Sequence, residues 1–256
     1  MDLFFDTKLA DSYTSQSQKV RVLTEHWVDN QIYCPNCGQV ALEKYQHNKP
    51  VGDFYCNECQ EDYELKSKQD KFGSKIVDGA YGTMIKRLTG SSNPNFFLLN
   101  YDPSDFSVLN FFVIPKHFFI PDIIEKRKPL APTAERHDWV GCNILLQSIP
   151  RTGKIFFVKN RQIEPKKNVI ANWQKTLFLR EEKEISAKGW LLDVMNCVEK
   201  LESKEFTLDE IYAFENLLSK KHPENKHIKD KIRQQLQILR DKGYLDFIDR
   251  GEYQLI

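Results

Sequence analysis

Four of the six cysteines stand as two Cys-x2-Cys pairs, Cys34-Pro-Asn-Cys37 and Cys56-Asn-Glu-Cys59, with eighteen residues between them. Each pair puts two thiolates on one tight turn. Two such turns facing each other make the closed, tetrahedral four-sulfur site that structural zinc prefers. The intervening spacing falls in the range of zinc sites, with iron in a rubredoxin-like site as the competitor. A closed site has no open position for substrate. A metal on Cys34, Cys37, Cys56 and Cys59 would therefore hold structure, and its binding would be folding free energy.

The same stretch carries a second set of chemical groups. Asp53 precedes the second cysteine pair and Glu64-Leu65-Lys66 follows it. Residues 51–55 and 61–68 read as strands. A hairpin around the second pair sets Asp53 opposite Glu64, and Lys66, two residues on, falls on the same face. Opposed acids repel unless a cation joins them. An oxygen-loving divalent ion such as Mg2+ would take both carboxylates, waters and a phosphate oxygen. It would lower the pKa of a bound water and stabilise charge on a phosphodiester. Lys66 would orient the attacking water or offset developing negative charge. The plainer alternative is a solvated hairpin face, since an Asp and a later Glu-x-Lys are common by chance.

These groups need elements to position them. Residues 1–12 read as extended or weakly ordered. Residues 15–32 have helical spacing (Val20, Leu23, Trp27, Val28, Ile32), with Ser15 or Ser17 as N-cap. Glu25 falls mid-helix, as a solvated residue or a helix salt bridge. Residues 83–88 read as a short helix, with Asp78 upstream and Gly90 downstream. Residues 95–101 and 106–114 are strong strands joined by an Asp-Pro-Ser-Asp turn and stopped by Pro115. Residues 116–140 read as irregular and rich in Pro, Lys and Arg; 142–149 and 154–158 read as further strands. The expectation is a mixed α/β domain over residues 1–181.

From about residue 182 the pattern changes. Helical periodicity covers 190–201, 207–218 and 228–240, and the second helix opens on a Thr207-Leu-Asp-Glu210 capping box. A strand, an Arg250-Gly251 turn and a strand close the chain. Three helices and a hairpin form the winged helix-turn-helix pattern, expected over 182–256. Between Lys220 and Arg240 there are seven Lys or Arg against two acids, whereas the preceding helix is acidic. The third helix and its lead-in are thus candidate DNA-binding residues. Lys226, His227, Lys229, Lys231 and Arg233 suit phosphates, and Asn225, Gln234 and Gln235 suit base edges. Arg250 at the wing tip suits the minor groove or backbone. In the irregular loop, Trp139 beside Arg136 is a candidate apolar surface for a methyl group or a base, or simply a loop anchor. Lys86, Arg87, Lys116 and His117 are further candidate phosphate contacts.

Bulk composition limits the partners. The 256 residues are 41% hydrophobic and 29% charged, and the formal net charge is +1. Nucleic-acid affinity must then come from local basic patches. No apolar run is long enough to span a membrane. The acidic start, Met1-Asp2-Leu-Phe-Phe-Asp6, lacks the basic region of an export signal. A cytoplasmic, bacterial location is expected, with Cys142 and Cys197 as buried reduced thiols.

Asp53…Glu64-Leu65-Lys66 resembles the PD-(D/E)xK nuclease signature, with Gly52 in place of the usual Pro. With the four-cysteine knuckle and the winged helix, the chain resembles from end to end the DpnI-type, methyl-directed (Type IIM) restriction endonucleases. Supporting stretches are Asn-Gln-Ile-Tyr-Cys-Pro-Asn-Cys-Gly (30–38), Tyr63-Glu-Leu-Lys-Ser-Lys68, Pro129-Leu-Ala-Pro-Thr133, Gly141-Cys-Asn143 and residues 231–242. The resemblance implies Mg2+-dependent double-strand cleavage of duplex DNA at G-A-T-C sites bearing N6-methyladenine. It implies Asp53, Glu64 and the backbone carbonyl of Leu65 as magnesium ligands, Lys66 as catalytic lysine, and zinc on the four cysteines. It also implies that both domains recognise methylated DNA. A monomer in solution is expected. The rival expectation is a non-catalytic, zinc-containing winged-helix DNA-binding regulator.

Overall fold

In the computed structural model, which describes residues 1–46, 52–90 and 92–256, the apolar runs at 95–101 and 106–114 become the middle of a sheet. The chain divides into two units, one of Met1–Leu146 with Thr152–Thr176, the other of Gln147–Arg151 with Leu177–Ile256. Among the described residues no helix is long and apolar enough to cross a membrane.

The first unit contains α1 (Gln16–Gln31), β1 (Glu43–Lys44), β2 (Phe54–Tyr55), β3 (Asp62–Gln69), β4 (Lys75–Ala80), α2 (Tyr81–Thr89), β5 (Asn95–Asp102), β6 (Ser107–Ile114), β7 (Ile124–Lys126), β8 (Gly141–Leu145), β9 (Ile155–Lys159), β10 (Gln162–Ile163) and α3 (Lys166–Gln174). Seven strands pair in the order β1-β2-β3-β5-β6-β9-β10. Among the described residues only the β3–β5 pair is parallel. A parallel pair needs a crossover, and here β4 and α2 supply it. β4 also opens a second sheet, β4-β8-β7.

The centre of β5 is apolar because it lies mid-sheet with both neighbours paired: Phe96, Phe97, Leu98 and Leu99 are all buried. On one face Tyr63 stacks on Phe97 with centroids 4.4 Å apart, and Phe111, Phe157 and Trp27 continue the aromatic cluster. α1 lays Leu23, Trp27 and Val28 on that cluster. Ser15 stands at its N-cap, as one of the two expected residues, yet makes no side-chain cap bond.

Several expectations need correcting. The first twelve residues are ordered: Leu3 O accepts from Val108 N at 2.8 Å and Phe5 N donates to Phe106 O at 2.9 Å. Trp27 Nε1 donates to Asp2 O at 2.7 Å, so α1 itself ties the N-terminus down. Residues 116–140 are not wholly irregular, since β7 forms there. The strand expected over 142–149 is β8, ending at Leu145 and followed by a 3-10 turn. β4 and α3 had no expectation. Their short apolar periods are outweighed by polar residues in a local reading, and only packing reveals them. Val51, at the start of an expected strand, lies outside the described residues.

The second unit contains α4 (Ile185–Lys200), β11 (Glu205–Thr207), α5 (Leu208–Tyr212), α6 (Glu215–Lys221), α7 (Ile228–Asp241), β12 (Leu245–Asp249) and β13 (Glu252–Leu255). Its sheet runs β11-β13-β12. The Thr207–Glu210 capping box is complete. The helix it opens is split in two, because Phe214 N bonds to Ile211 O and Leu217 N to Phe214 O, three-residue steps that tighten the turn. α7 is capped at Lys242 and followed by Gly243, whose φ of +71° supplies the left-handed residue past the helix end. Gly251, at φ +81°, makes the wing turn beside Arg250.

Candidate active site, four-cysteine knuckle and DNA-reading elements

The two cysteine turns are built alike. Cys34 N bonds to Gln39 O and Cys56 N to Glu61 O, both at 2.9 Å. Gly38 N bonds back to Cys34 O, and Gln60 N to Cys56 O, again both at 2.9 Å. The residue after each second cysteine takes positive φ, +80° at Gly38 and +58° at Gln60. The four Sγ atoms lie within 4.8 Å of one another. Cys34–Cys59 and Cys37–Cys56 are 3.5 and 3.6 Å apart. A tetrahedron with zinc–sulfur bonds near 2.3 Å has edges of roughly 3.8 Å, so the cluster fits zinc. Trp173 Nε1 donates to Asn36 Oδ1 at 2.8 Å and Lys166 Nζ to Gly38 O at 2.7 Å, which pin the first turn to α3. Tyr63, buried on β3, brings its hydroxyl 3.2 Å from Cys34 Sγ, where it would donate to a thiolate. Cys142 and Cys197 are free and buried.

The knuckle sets the register of the hairpin beside it. Phe54 pairs with Tyr63 and Tyr55 with Asp62. Asp53 lies past the last of these pairs, and its N–H bonds to Tyr63 O at 2.9 Å, so it stands against Tyr63, one residue short of the expected position opposite Glu64. Its carboxylate then turns to the strand edge, where Leu65 N donates to Oδ2 at 2.7 Å. Within a strand a residue's N–H and C=O point to the same side. The Leu65 carbonyl therefore faces the same edge as Asp53. Gly52 is needed here: a Cβ would sit 2.8 Å from Tyr63 O.

Glu64 and Lys66 share one face of β3, and Lys66 Nζ lies 2.5 Å from Glu64 Oε1. Two further groups join them that the residue pattern had not marked as members of the site. Asp78, its side chain only 6% exposed on β4, takes Lys66 Nζ at 2.7 Å. Arg87 of α2, expected only as a phosphate contact, sits 3.1 Å from Glu64 Oε2. The signal for Asp78 was the Lys-Ile-Val-Asp run directly before a helix, which reads as a strand once its pairing to β8 is known. Burial works against the Lys66 ammonium, but Glu64 and Asp78 outweigh it and raise its pKa above the ordinary lysine value. Burial also raises the Asp53 pKa; the Leu65 N–H opposes this, and the charges of Glu64 and Glu25 add to it. Carboxylate and backbone-carbonyl oxygens are donors of the kind Mg2+ takes; Asp53 and Leu65 stand at the edge, and Glu64 lies on the face of β3, paired with Lys66 and Arg87.

Glu25 is not on a solvated face. It is buried, and its carboxylate is held by Arg21 and Lys44, each at 2.6 Å. The i,i+4 pair with Arg21 agrees with the salt-bridge expectation.

The other candidate residues are more scattered. Trp139 is half-buried, set so close to Gly141 that a Cβ there would lie 2.7 Å from its ring. Arg136 is exposed in the same loop. Lys116 pairs with Glu61 at 3.2 Å. His117 is buried against Thr176, at 2.8 Å, and cannot reach a phosphate. On α7 and its lead-in, Lys226, His227, Lys229, Arg233 and Gln234 are exposed, and Asn225 and Lys231 are half-buried. Lys229 and Arg233 both lie over the Tyr212 ring. Gln235 is a correction. It falls on the inward stripe with Ile228, Ile232, Leu236 and Leu239, is 2% exposed, and cannot touch a base edge. Arg250 is exposed at the wing turn.

A mixed α/β unit of the PD-(D/E)xK class with an inserted four-cysteine cluster, joined to a winged helix-turn-helix unit, defines a DNA-binding nuclease architecture. Comparison with protein families agrees. The DpnI, Dam-replacing family matches residues 1–182, and the Dam-replacing HTH domain matches residues 186–255. The chain belongs to the DpnI, Dam-replacing family: it is a restriction nuclease of the methylation-dependent kind, with a DNA-binding helix-turn-helix domain. The expectation of a non-catalytic regulator is at odds with that membership.

Proposed function

We propose that this restriction nuclease is a Type IIM enzyme making Mg2+-dependent double-strand cuts at G-A-T-C sites whose adenine carries an N6-methyl group. The observation that carries the reading is the edge of β3, where Asp53 and the Leu65 backbone meet beside Glu64 and Lys66, in a chain of the DpnI family. Residues 1–181 act as the nuclease domain and 182–256 as a DNA-binding domain. The protein works as a monomer in the bacterial cytoplasm, with zinc on Cys34, Cys37, Cys56 and Cys59.

In the proposed reaction a water oxygen bonds to phosphorus as one ester P–O bond breaks, leaving a phosphate end and a hydroxyl end. Bound Mg2+ supplies charge neutralisation and a more acidic water. Asp53, Glu64 and the Leu65 carbonyl hold it. Lys66, a donor without acceptor capacity while protonated, offsets charge on the reacting phosphate. Asp78, the second carboxylate on that ammonium, holds it in place. Arg87, paired with Glu64, adds a second positive charge beside the site. Lys226, His227, Lys229, Lys231, Arg233 and Arg250 contact the backbone. Asn225 and Gln234 reach base edges, and Trp139 with Arg136 meets the methylated base.

Purified protein incubated with Mg2+ and duplexes that are fully methylated, hemimethylated or unmethylated at G-A-T-C tests the proposal. Cleavage should follow methylation and vanish in Lys66→Ala. Equal cutting of all three duplexes would remove the methyl specificity. No cutting of any duplex would remove the nuclease reading.

A further inference from the structure

Beyond Asp53 the edge of β3 opens into a recess of about 530 Å³, and apart from Asp53 and Leu65 its lining has no part in the chemistry above. Its walls are α1 and the second half of β3. Arg21 stands on one wall and Lys68 on the other, and both reach solvent. Between them lie small polar groups, Ser17, Thr24 and Ser67, with Thr24 Oγ1 3.5 Å from Ser67 Oγ. Asp53 and Leu65 line the end of the recess that adjoins the candidate metal edge.

Three features give this recess a ligand class. First, Arg21 is anchored: its Nε is 2.6 Å from the buried carboxylate of Glu25, which Lys44 grips from the other side. A buried glutamate held by two cations fixes an arginine whose own side chain remains 56% exposed. Fixing a guanidinium in this way favours phosphate recognition, because less side-chain freedom is lost on binding. Second, the first turn of α1 contributes Gln16 and Ser17 to the lining, and its N-cap, Ser15, makes no side-chain cap bond. Its N–H groups and the helix dipole add positive potential on the same wall as Arg21. Third, the one aromatic residue in the lining, Tyr101, is 5% exposed and offers no ring face for a base. The lining also holds two carboxylates, Glu25, already paired with Arg21 and Lys44, and Asp53, at the metal edge; the cations and hydroxyls beside them, without a stacking platform, suit a sugar–phosphate backbone rather than a nucleobase.

We propose that the recess between α1 and β3 binds the phosphate next to the scissile one on the cut strand, with Arg21 and Lys68 as its contacts. Glu25 is a positioning residue that acts through Arg21. The inference rests on the nuclease reading, since it takes the edge at Asp53 as the place of cleavage. Its role is to fix the strand so that the scissile phosphate is presented to that edge.

The test is a charge-removal walk. Methylated G-A-T-C duplexes carrying one neutral methylphosphonate at successive positions are titrated with the full-length protein, with Ca2+ replacing Mg2+ to hold the complex uncut. A single position beside the cut should weaken binding by the unsubstituted protein roughly tenfold to hundredfold, the range of one charge-assisted contact. Arg21→Ala should weaken binding to the all-phosphate duplex and lose most of the sensitivity to the methylphosphonate at that position alone, the remainder belonging to Lys68. Arg21→Lys should recover part of both effects. If Arg21→Ala and Lys68→Ala each keep full sensitivity at every position, the recess is not a phosphate site. Circular dichroism checks the fold of each variant, and Lys68→Ala carries the comparison if Arg21→Ala is unfolded. Cleavage by the unsubstituted protein in Mg2+ is scored separately. Its absence would sink the nuclease reading, whereas the binding walk still decides the recess.

Discussion

Lys66 lies between two carboxylates, and the two have different duties. Glu64 belongs to the proposed metal edge, while Asp78 comes from a different sheet, and its carboxylate takes the ammonium and the N–H of its neighbour Gly79. Replacing Asp78 with Asn keeps the shape but removes the charge that holds Lys66. Single-turnover cleavage should then fall by about 10- to 100-fold, the usual cost of losing an outer partner of a metal site, with duplex affinity in Ca2+ little changed. An unaltered cleavage rate would exclude the positioning role. Glu25 allows a second test. Burial disfavours its charge, but hydrogen bonds and attraction from Lys44 and Arg21 prevail and lower its pKa. A carboxylate lowered on folding stabilises the native state above its unfolded pKa, and that contribution is lost as pH falls through the folded value. The stability gap between the unsubstituted protein and Glu25→Gln, read from urea melts, should therefore be full at pH 7 and shrink below about pH 4, under the ordinary glutamate pKa. A gap that widens on acidification would contradict this.

At the scale of elements, the knuckle and the β2–β3 hairpin are one device. The cysteine turns hold the strand ends, and the Phe54–Tyr63 pairing brings β3 alongside Asp53, whose N–H bonds to Tyr63 O and whose carboxylate takes the Leu65 N–H. Tyr63 links the two with its hydroxyl at Cys34 and its ring on Phe97. Metal analysis should find about one zinc per chain, and chelation should lower the melting temperature and abolish cleavage together. Tyr63→Phe keeps the ring and drops the hydroxyl. It should retain the fold but release zinc to a competing chelator more readily, by up to about tenfold in affinity. Zinc retention equal to the unsubstituted protein would mean that the Tyr63 contact has no part in holding the metal. In the second unit the comparable device is α7, whose inward stripe (Ile228, Ile232, Gln235, Leu236, Leu239) orients the outward basic residues.

For the whole molecule, a formal net charge of +1 means that long-range attraction to DNA comes from patches. The exposed cations at Lys226, Lys229 and Arg233 form one such patch. Removing one phosphate contact there should weaken binding to all duplexes alike and flatten the salt dependence by about one unit of log–log slope. Fluorescence titrations of Lys226→Ala across salt concentrations measure this. A loss confined to methylated duplexes would assign Lys226 to base reading instead.

The sequence alone determined those features that depend on spacing along the chain. Two Cys-x2-Cys pairs specify a four-thiolate cluster because ligand spacing is local geometry. β5 and β6 follow from apolar runs, Phe96–Leu99 and Phe111–Ile114, whereas the place of Asp53 against Tyr63 was decided beyond the pleat. The winged helix was legible because helical periods, a capping box and a turn glycine are local as well. Tertiary structure decided what comes from distant parts of the chain. Asp78 reaches Lys66 only through the crossover that makes β3 and β5 parallel. Glu25 is buried because Lys44, nineteen residues away in sequence, closes over it. Gln235 turns inward because the core of its unit sets the rotation of α7, and His117 meets Thr176 across fifty-nine residues. Such contacts depend on which surfaces pack together, and no local pattern of residues encodes that.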